Sequence, residues 1–283
     1  MAKYRKITHA RPEQFAAASS AQFKLTWANA CRFAIISKLM ETSLHRQLKA
    51  LYAGEHAASE QESRKFAGYR IDVVRGEELV EIQHGSLGAI RSKIAKLLEK
   101  HPVRVVKPLI ARKTLIKLEG IDGGEISRRL SPKQATVLDL FHELVYFTAC
   151  FPHPRLTLEV PLVTVEERRI PGHGKRRRWR RNDHIVHDLS LVDVVATHTF
   201  TTNDDLLALL PTNLPQPFHT GDLAAAMQIQ RWIAQRIAYC LRKTGGAKLI
   251  GKQGNALTYQ FVTTKSPVKR RAMSKRCGKS QAS

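Results

Sequence analysis

No stretch of this 283-residue chain approaches the roughly 20 uninterrupted apolar residues of a membrane span. Its basic start, Met1 to Gln14, is followed by no apolar run that would make a secretion signal. The sequence therefore predicts a soluble cytoplasmic protein with no membrane partner. Cysteine is scarce: Cys31, Cys150, Cys240 and Cys277 stand alone and far apart, which fits neither a disulfide framework nor CxxC zinc spacing. The histidines, including His142 before Glu143, show no HExxH spacing, so a zinc site of that kind is not predicted. Glycine-rich segments 120–124 and 172–174 lack the Lys-Ser/Thr ending of a phosphate-binding loop, and nucleotide hydrolysis has no support. There is no internal repeat.

Acid is also in short supply. The chain has 24 Asp and Glu against 47 Lys and Arg, a formal charge of +23, and a protein this basic seeks nucleic acid or anionic lipid. Two acid-free segments, Arg168–Arg181 with eight basic residues and Lys265–Ser283 with seven, supply 15 of that excess. Such runs are either solvated linkers or phosphate contacts. Arg177, Arg178 and Arg180 around Trp179 lean toward contact, because an indole stacks on a base while guanidinium groups hold phosphates.

What remains is a globular composition, 43% hydrophobic and 25% charged, enough for one large or two ordinary domains. From Phe33 to Leu51 apolar residues recur at helical spacing, with Glu41, His45 and Lys49 on a common polar side. Ala53–Arg64 reads as a loop, Tyr69–Val74 and Leu79–Gln83 as strands, and Ser86–Lys100 as a helix with Ser86 at its N-cap. Val103–Ile110, Thr114–Leu118 and Leu156–Val165 are strand-like, and Ser131-Pro132 reads as the opening of a helix. This order predicts an α/β (α+β) core with a mixed sheet and flanking helices. The predicted organisation is an extension over 1–32, a core domain over 33–167, a basic linker over 168–188, a second domain over 189–262 and a basic disordered tail over 263–283.

Between the first two strands lies Arg75-Gly76-Glu77-Glu78, and glycine in the first central position is what a type II′ hairpin turn prefers. With Gly76 and Glu77 central, Arg75 pairs with Glu78, Val74 with Leu79, Val73 with Val80 and Asp72 with Glu81. Two carboxylates directly opposed at about 5 Å repel unless they share a cation or a proton. With a backbone carbonyl they make a hard-oxygen site suited to Mg²⁺ or Mn²⁺. The competing reading is a solvated face whose acids pair with Arg70 or Lys93.

These residues resemble the PD-(D/E)XK nuclease superfamily: Asp72, then Glu81-Ile82-Gln83 on the next strand, with a helix bearing Glu41 before them and a helix with Lys93 and Lys96 after. The resemblance covers roughly residues 33–165 and implies a restriction-endonuclease-like fold. It implies Asp72 and Glu81 as metal ligands, Glu41 as an auxiliary ligand, and Gln83 in the place usually held by lysine, with Lys93 as a replacement charge. Gln83 can position a water or phosphate only by hydrogen bonds. No proline precedes Asp72; its neighbour is Ile71.

Toward the C-terminus, a helix near Asp204–Leu210 and a proline-punctuated turn precede Thr220–Met227 and Gln230–Lys243, which read as a helix-turn-helix. Ile233, Ile237 and Leu241 face its core and leave Arg231, Gln235, Arg236 and Arg242 exposed. A hairpin follows, with Lys252 near its tip. Together these resemble a winged helix over roughly 204–261, a module that serves either DNA or protein contact. The combination resembles a group of bacterial proteins. It implies a DNA-binding, Mg²⁺-dependent nuclease whose winged helix holds the duplex, or else a non-catalytic DNA-binding or regulatory protein on a nuclease-like scaffold. Whether the chain acts alone or as a dimer the sequence leaves open.

Overall fold

The computed structural model describes residues 41–54, 65–172 and 183–262. Helix α1 (Ser43–Ala53) starts where the Thr42 hydroxyl accepts the amide of His45 and ends at Gly54, which adopts φ +65°. Leu44 and Leu48, four residues apart, are fully buried and fix the face that α1 turns to the sheet. A small hairpin, β1 (Lys65–Phe66) and β2 (Tyr69–Arg70), leads to β3 (Val73–Arg75) and β4 (Glu78–Ile82). A 3₁₀ turn at Leu87–Ile90, capped by Ser86, feeds α2 (Arg91–Leu98), and β5 (Val103–Val106) returns parallel to β4. Strands β6 (Leu109–Leu118) and β7 (Glu125–Leu130), helix α3 (Leu140–Leu144) and the long strands β8 (Leu156–Pro171) and β9 (His184–Phe200) complete this part.

The sheet has seven strands in the order β3-β4-β5-β8-β6-β7, with β9 also paired to β8. It is mixed: β4-β5, β5-β8 and β6-β8 are parallel, whereas β3-β4, β6-β7 and β8-β9 are antiparallel. Both faces are covered, and period-two alternation sorts the side chains. Val80 and Ile82 join Leu44, Leu48, Val106, Val163, Val165 and Leu189 under α1. Leu79, Val103, Val105 and Leu158 join Ile94 and Leu97 of α2 and Phe141 and Leu144 of α3 on the other face.

The C-terminal part runs α4 (Asn203–Leu207), β10 (Phe218–His219), α5 (Thr220–Met227), α6 (Arg231–Thr244), β11 (Ala247–Gln253) and β12 (Ala256–Phe261). Its three strands lie in the order β10-β12-β11. His219 and Asp222 cap α5 reciprocally, and Gln228 in the left-handed region ends it. Ala234, Ile237, Ala238, Cys240 and Leu241 of α6 are fully buried, in the same apolar cluster as Phe141 and Ile94. Burial pushes the Cys240 thiol up to about 12, and its Sγ donates to the Phe141 carbonyl at 3.7 Å. The C-terminal elements are thus continuous in packing with the sheet.

Several elements differ from the sequence reading. The segment 168–188 does not run as a linker where it is described: Arg168, Arg169, Ile170 and Pro171 pair with Asp188, Val186, Ile185 and His184 at the outer end of the β8-β9 hairpin. Residues 189–200, expected in the second domain, form strand β9 of the first sheet. Leu189 packs with Val163 and Val165, and cross-strand pairing of this kind leaves no local trace. The helix expected at Ser131-Pro132 begins only after a reciprocal cap between Thr136 and Asp139, because the Ser131 amide is held by the Lys113 carbonyl at 2.8 Å. Strand β7 was not foreseen; all six of its residues are exposed, and it is fastened to β6 by the ladder and to β8 by the Arg128–Glu166 ion pair.

Candidate functional site

The turn at Gly76-Glu77 has the expected register, with Arg75 opposite Glu78, Val74 opposite Leu79 and Val73 opposite Val80. Gly76 takes φ +58° and Glu77 is not among the residues with positive φ, as a type II′ turn requires. The ladder stops one pair short of the carboxylates. The chain bends at Asp72, and Ile71 packs with Leu79 rather than with Val80 and Ile82. Asp72 is therefore not the direct cross-strand partner of Glu81, as the extended register would have it. The two acids lie at the edge of the sheet, each held by a different helix.

Helix α1 holds Asp72. His45 Nε2 stands 3.2 Å from Asp72 Oδ2 and Lys49 Nζ 3.0 Å from Oδ1, while the Ile82 amide donates to Oδ2 at 2.9 Å. Glu41 completes the cluster: its Oε1 is 2.6 Å from His45 Nδ1 and 2.8 Å from Lys49 Nζ. Burial alone would raise the Asp72 carboxyl, but the hydrogen bonds from His45, Ile82 and Lys49 outweigh it and hold the pKa down to about 2. In return, burial works against the charge on His45 and Lys49, and the Asp72 and Glu41 carboxylates raise both above their ordinary values.

Helix α2 holds Glu81. Lys93 Nζ sits 2.6 Å from Glu81 Oε1 and 2.5 Å from the Arg70 carbonyl oxygen, where a carboxylate and a carbonyl converge on one cation. Glu81 is 7% exposed, and its second oxygen, Oε2, is buried without a hydrogen-bond partner. Burial, together with the nearby Asp72 charge, pushes its carboxyl above the usual range despite Lys93. In chemistry these groups suit a hard divalent cation: the Arg70 carbonyl and two carboxylates, one of which, Glu81, has an orphaned oxygen. Each carboxylate nevertheless has an ammonium at hand, Lys49 for Asp72 and Glu41, Lys93 for Glu81. Among the described residues, no three His, Cys, Asp or Glu side chains are grouped to hold a metal ion.

Gln83 donates its side-chain amide to the Ser86 carbonyl at 2.9 Å and is spent on its own loop. That loop is pinned by two residues the sequence reading did not single out. Lys107, 4% exposed, donates to the carbonyls of His84 and Gly85, and Glu143 Oε2 accepts the Leu87 amide at 2.9 Å. Burial lowers the Lys107 pKa, against the pull of Glu143. A lone lysine between two strands gives no sequence signal of this role. The partners of Asp72 did leave one, in the four-residue spacing of Glu41, His45 and Lys49.

The residues expected to touch DNA fall into two groups. Arg177, Arg178, Trp179 and Arg180 lie outside the described residues. Arg231, Gln235, Arg236 and Arg242 are exposed on α6, and Lys252 is exposed on β11. Arg236 turns toward α3, where Nη1 contacts His142 Nδ1 and the guanidinium lies 5.0 Å from the Trp232 ring centroid. No helix among the described residues is long and apolar enough to cross a membrane.

No solved structure matches the chain. An uncharacterised protein of Treponema pallidum (strain Nichols) is 30% identical over 227 residues, covering 80% of this chain and 87% of that protein. The family model described as domain of unknown function DUF8091 matches residues 42–201, which run from the cap of α1 through the end of β9. With more than half its length inside that match, the chain belongs to the DUF8091 family.

Proposed function

We propose that this protein binds DNA and cleaves phosphodiester bonds with Mg²⁺ or Mn²⁺. The observation that carries the reading is the buried Glu81 Oε2, an anionic oxygen without a donor beside a second ionised carboxylate, Asp72. An oxygen in that position needs a cation or a proton. The order α1, short hairpin, β3, β4, α2, β5, with β4 and β5 parallel, supports a PD-(D/E)XK nuclease-like, restriction-endonuclease-like core. The order α4, β10, α5, α6, β11, β12, with β10 on β12, supports a winged helix.

A divalent cation, when bound, supplies Lewis-acid stabilisation of charge at the phosphodiester. Asp72 and Glu81 would hold it, with Glu41 released from Lys49 as an auxiliary ligand. Lys93 keeps a positive charge at Glu81, and Lys107 and Glu143 fix the loop on which Gln83 sits. The exposed arginines of α6 hold the DNA backbone.

A second reading has its own observation. Lys49 and Lys93 already neutralise the carboxylates from inside the fold, which favours a non-catalytic DNA-binding scaffold. Incubation with supercoiled plasmid and short oligonucleotides, with Mg²⁺, Mn²⁺ or chelator, decides between the two. Metal-dependent cleavage that Asp72→Asn and Glu81→Gln abolish is the expected result. Binding that is equal in chelator and metal, with no cleavage, establishes the scaffold reading instead.

A further inference from the structure

The outward face of α6 carries exposed rings that the nuclease reading does not use. Trp232, Arg236, Tyr239 and Lys243 follow one another at steps of four, three and four, which at 100° per residue confines them to a stripe about 60° wide. The buried Ala234, Ala238 and Leu241 lie on the far side of the helix. Trp232 is 45% exposed and Tyr239 37%, on a helix that packs its other face completely. The neighbours of both rings are cations: Arg236 lies 5.0 Å from the Trp232 centroid, and Arg242 and Lys243 each lie 6.0 Å from that of Tyr239. Helix α6 has four basic residues and no acid.

The stripe continues across α3 toward the carboxylates. The His142 ring stands 5.1 Å from the Trp232 ring. Four residues on, Tyr146 is 58% exposed, and its Cβ lies against Gly88 of the loop that Glu143 pins. That loop begins at Gln83, two residues after Glu81. Rings and cations thus run from α6 through His142 to Tyr146, beside the turn that follows Gln83.

A duplex presents base edges and phosphates to a helix in its groove, while its base faces are stacked on one another. Exposed rings alternating with cations suit the opposite case, in which unpaired bases stack on the protein and the phosphates lie along the charges. From Trp232 to Tyr239 is roughly 10 Å along the helix axis, about three stacked nucleotides. Resting on the DNA-binding reading above, we infer that the α6-α3 face takes single-stranded DNA, with Trp232, Tyr239 and Tyr146 as stacking platforms and Arg231, Arg242 and Lys243 as phosphate contacts. A strand held on this face is then unpaired.

The test measures binding of the full-length protein in chelator, where cleavage plays no part, to an oligothymidylate of about 20 nucleotides and to a blunt duplex of equal length. Trp232→Ala and Tyr239→Ala should each weaken oligothymidylate binding by roughly 5- to 100-fold and duplex binding by less than about 3-fold. Trp232→Phe, which keeps a ring, should stay within about 3-fold of the parent on both. Circular dichroism of each variant checks that the fold is intact. If Trp232→Ala and Tyr239→Ala bind oligothymidylate like the parent, or lose duplex to the same extent, the inference is overturned while the nuclease reading stands. A parent protein that binds neither probe overturns the DNA reading itself, and this inference with it.

Discussion

The carboxylate site and the outer face of α6 treat charge in opposite ways. At the first, Asp72 and Glu81 are drawn into the structure with the exposed Glu41 at their border, and each of the three meets a cation of the same chain. At the second, four cations stand on a helix with no acid, and the close neighbours of Arg236, Arg242 and Lys243 are rings and His142. A buried ion pair is costly to form but far costlier to break, because the survivor is left in low dielectric. An exposed cation loses little when its neighbour is removed, since water replaces the contact. Stability should therefore respond to substitutions at the carboxylates, and nucleic-acid affinity to substitutions on α6.

Asp72→Ala should break this contrast hardest. It strands His45 and Lys49 together with Glu41 and removes the acceptor of the Ile82 amide. A loss of about 3 kcal/mol in denaturant unfolding is expected, together with loss of any metal-dependent cleavage. If stability is unchanged, the pairs around Asp72 are solvent-screened and the contrast with α6 fails.

Lys93→Met should come next. It leaves Glu81 without its partner at Oε1, so both oxygens are buried and bare. The carboxyl, already raised by burial and by Asp72, should then rise further. A group with a raised folded pKa favours the fold below its unfolded value and loses that contribution as pH climbs through the folded one. The variant should thus be about 2 to 3 kcal/mol less stable than the parent at pH 8 and close to it at pH 4. A deficit that is constant across that range would mean that Lys93 acts by packing and not by charge.

These two sites also show what the sequence could and could not disclose. The Gly76-Glu77 turn set the hairpin register correctly as far as Val73 and Val80, because turn chemistry is local. It misplaced Asp72, because the bend there is dictated by α1, far away in sequence. The common side of Glu41, His45 and Lys49 was legible from a spacing of four, whereas the nearness of Asp72 to that side came only from the family resemblance and not from any spacing. The exposure of Arg231, Gln235, Arg236 and Arg242 followed from the buried stripe of α6. Pairing of β8 with β9 and the pinning of the Gln83 loop by Lys107 depend on contacts between distant segments, which a linear pattern does not carry.

The pH dependence of the parent follows from the same groups. Asp72, held down to about 2, stabilises the fold above the ordinary carboxylate value near 4 and ceases to as pH falls toward 2. His45, raised by Asp72 and Glu41 against its burial, stabilises below its ordinary value of about 6.5 and ceases to as pH rises through its folded one. Glu81, also raised, contributes below its ordinary carboxylate value and loses that contribution as pH climbs through its folded one. These three groups favour a stability maximum on the acid side of neutrality, opposed by His84, which burial lowers and which favours the fold above its ordinary value. Replacing His45 with Gln should flatten the descent above about pH 6.5 and, because His45 is the first of the groups that hold Asp72 down, should also shrink the acid limb. An identical alkaline limb in His45→Gln would remove His45 from the cluster's energetics.

The smallest expected effect compares the two hairpins directly. Gly76 in the carboxylate hairpin and Gly254 in the β11-β12 hairpin both take φ +58°, and a Cβ added at either meets nothing within 4 Å. Steric room is thus equal, and alanine at either position pays only for a positive-φ backbone that L-residues rarely adopt, about 1 to 2 kcal/mol. Because α6 shares its apolar cluster with the main sheet, both losses should appear in full in one cooperative unfolding transition. Gly76→Ala and Gly254→Ala should then lower its midpoint by the same amount, a few degrees at most for a chain of this length. Should Gly254→Ala instead leave the main transition in place while amide exchange in β11 and β12 accelerates, the C-terminal hairpin opens on its own. The site at Asp72 would then be part of the rigid body, and the hairpin beside α6 a locally mobile arm of the nucleic-acid face.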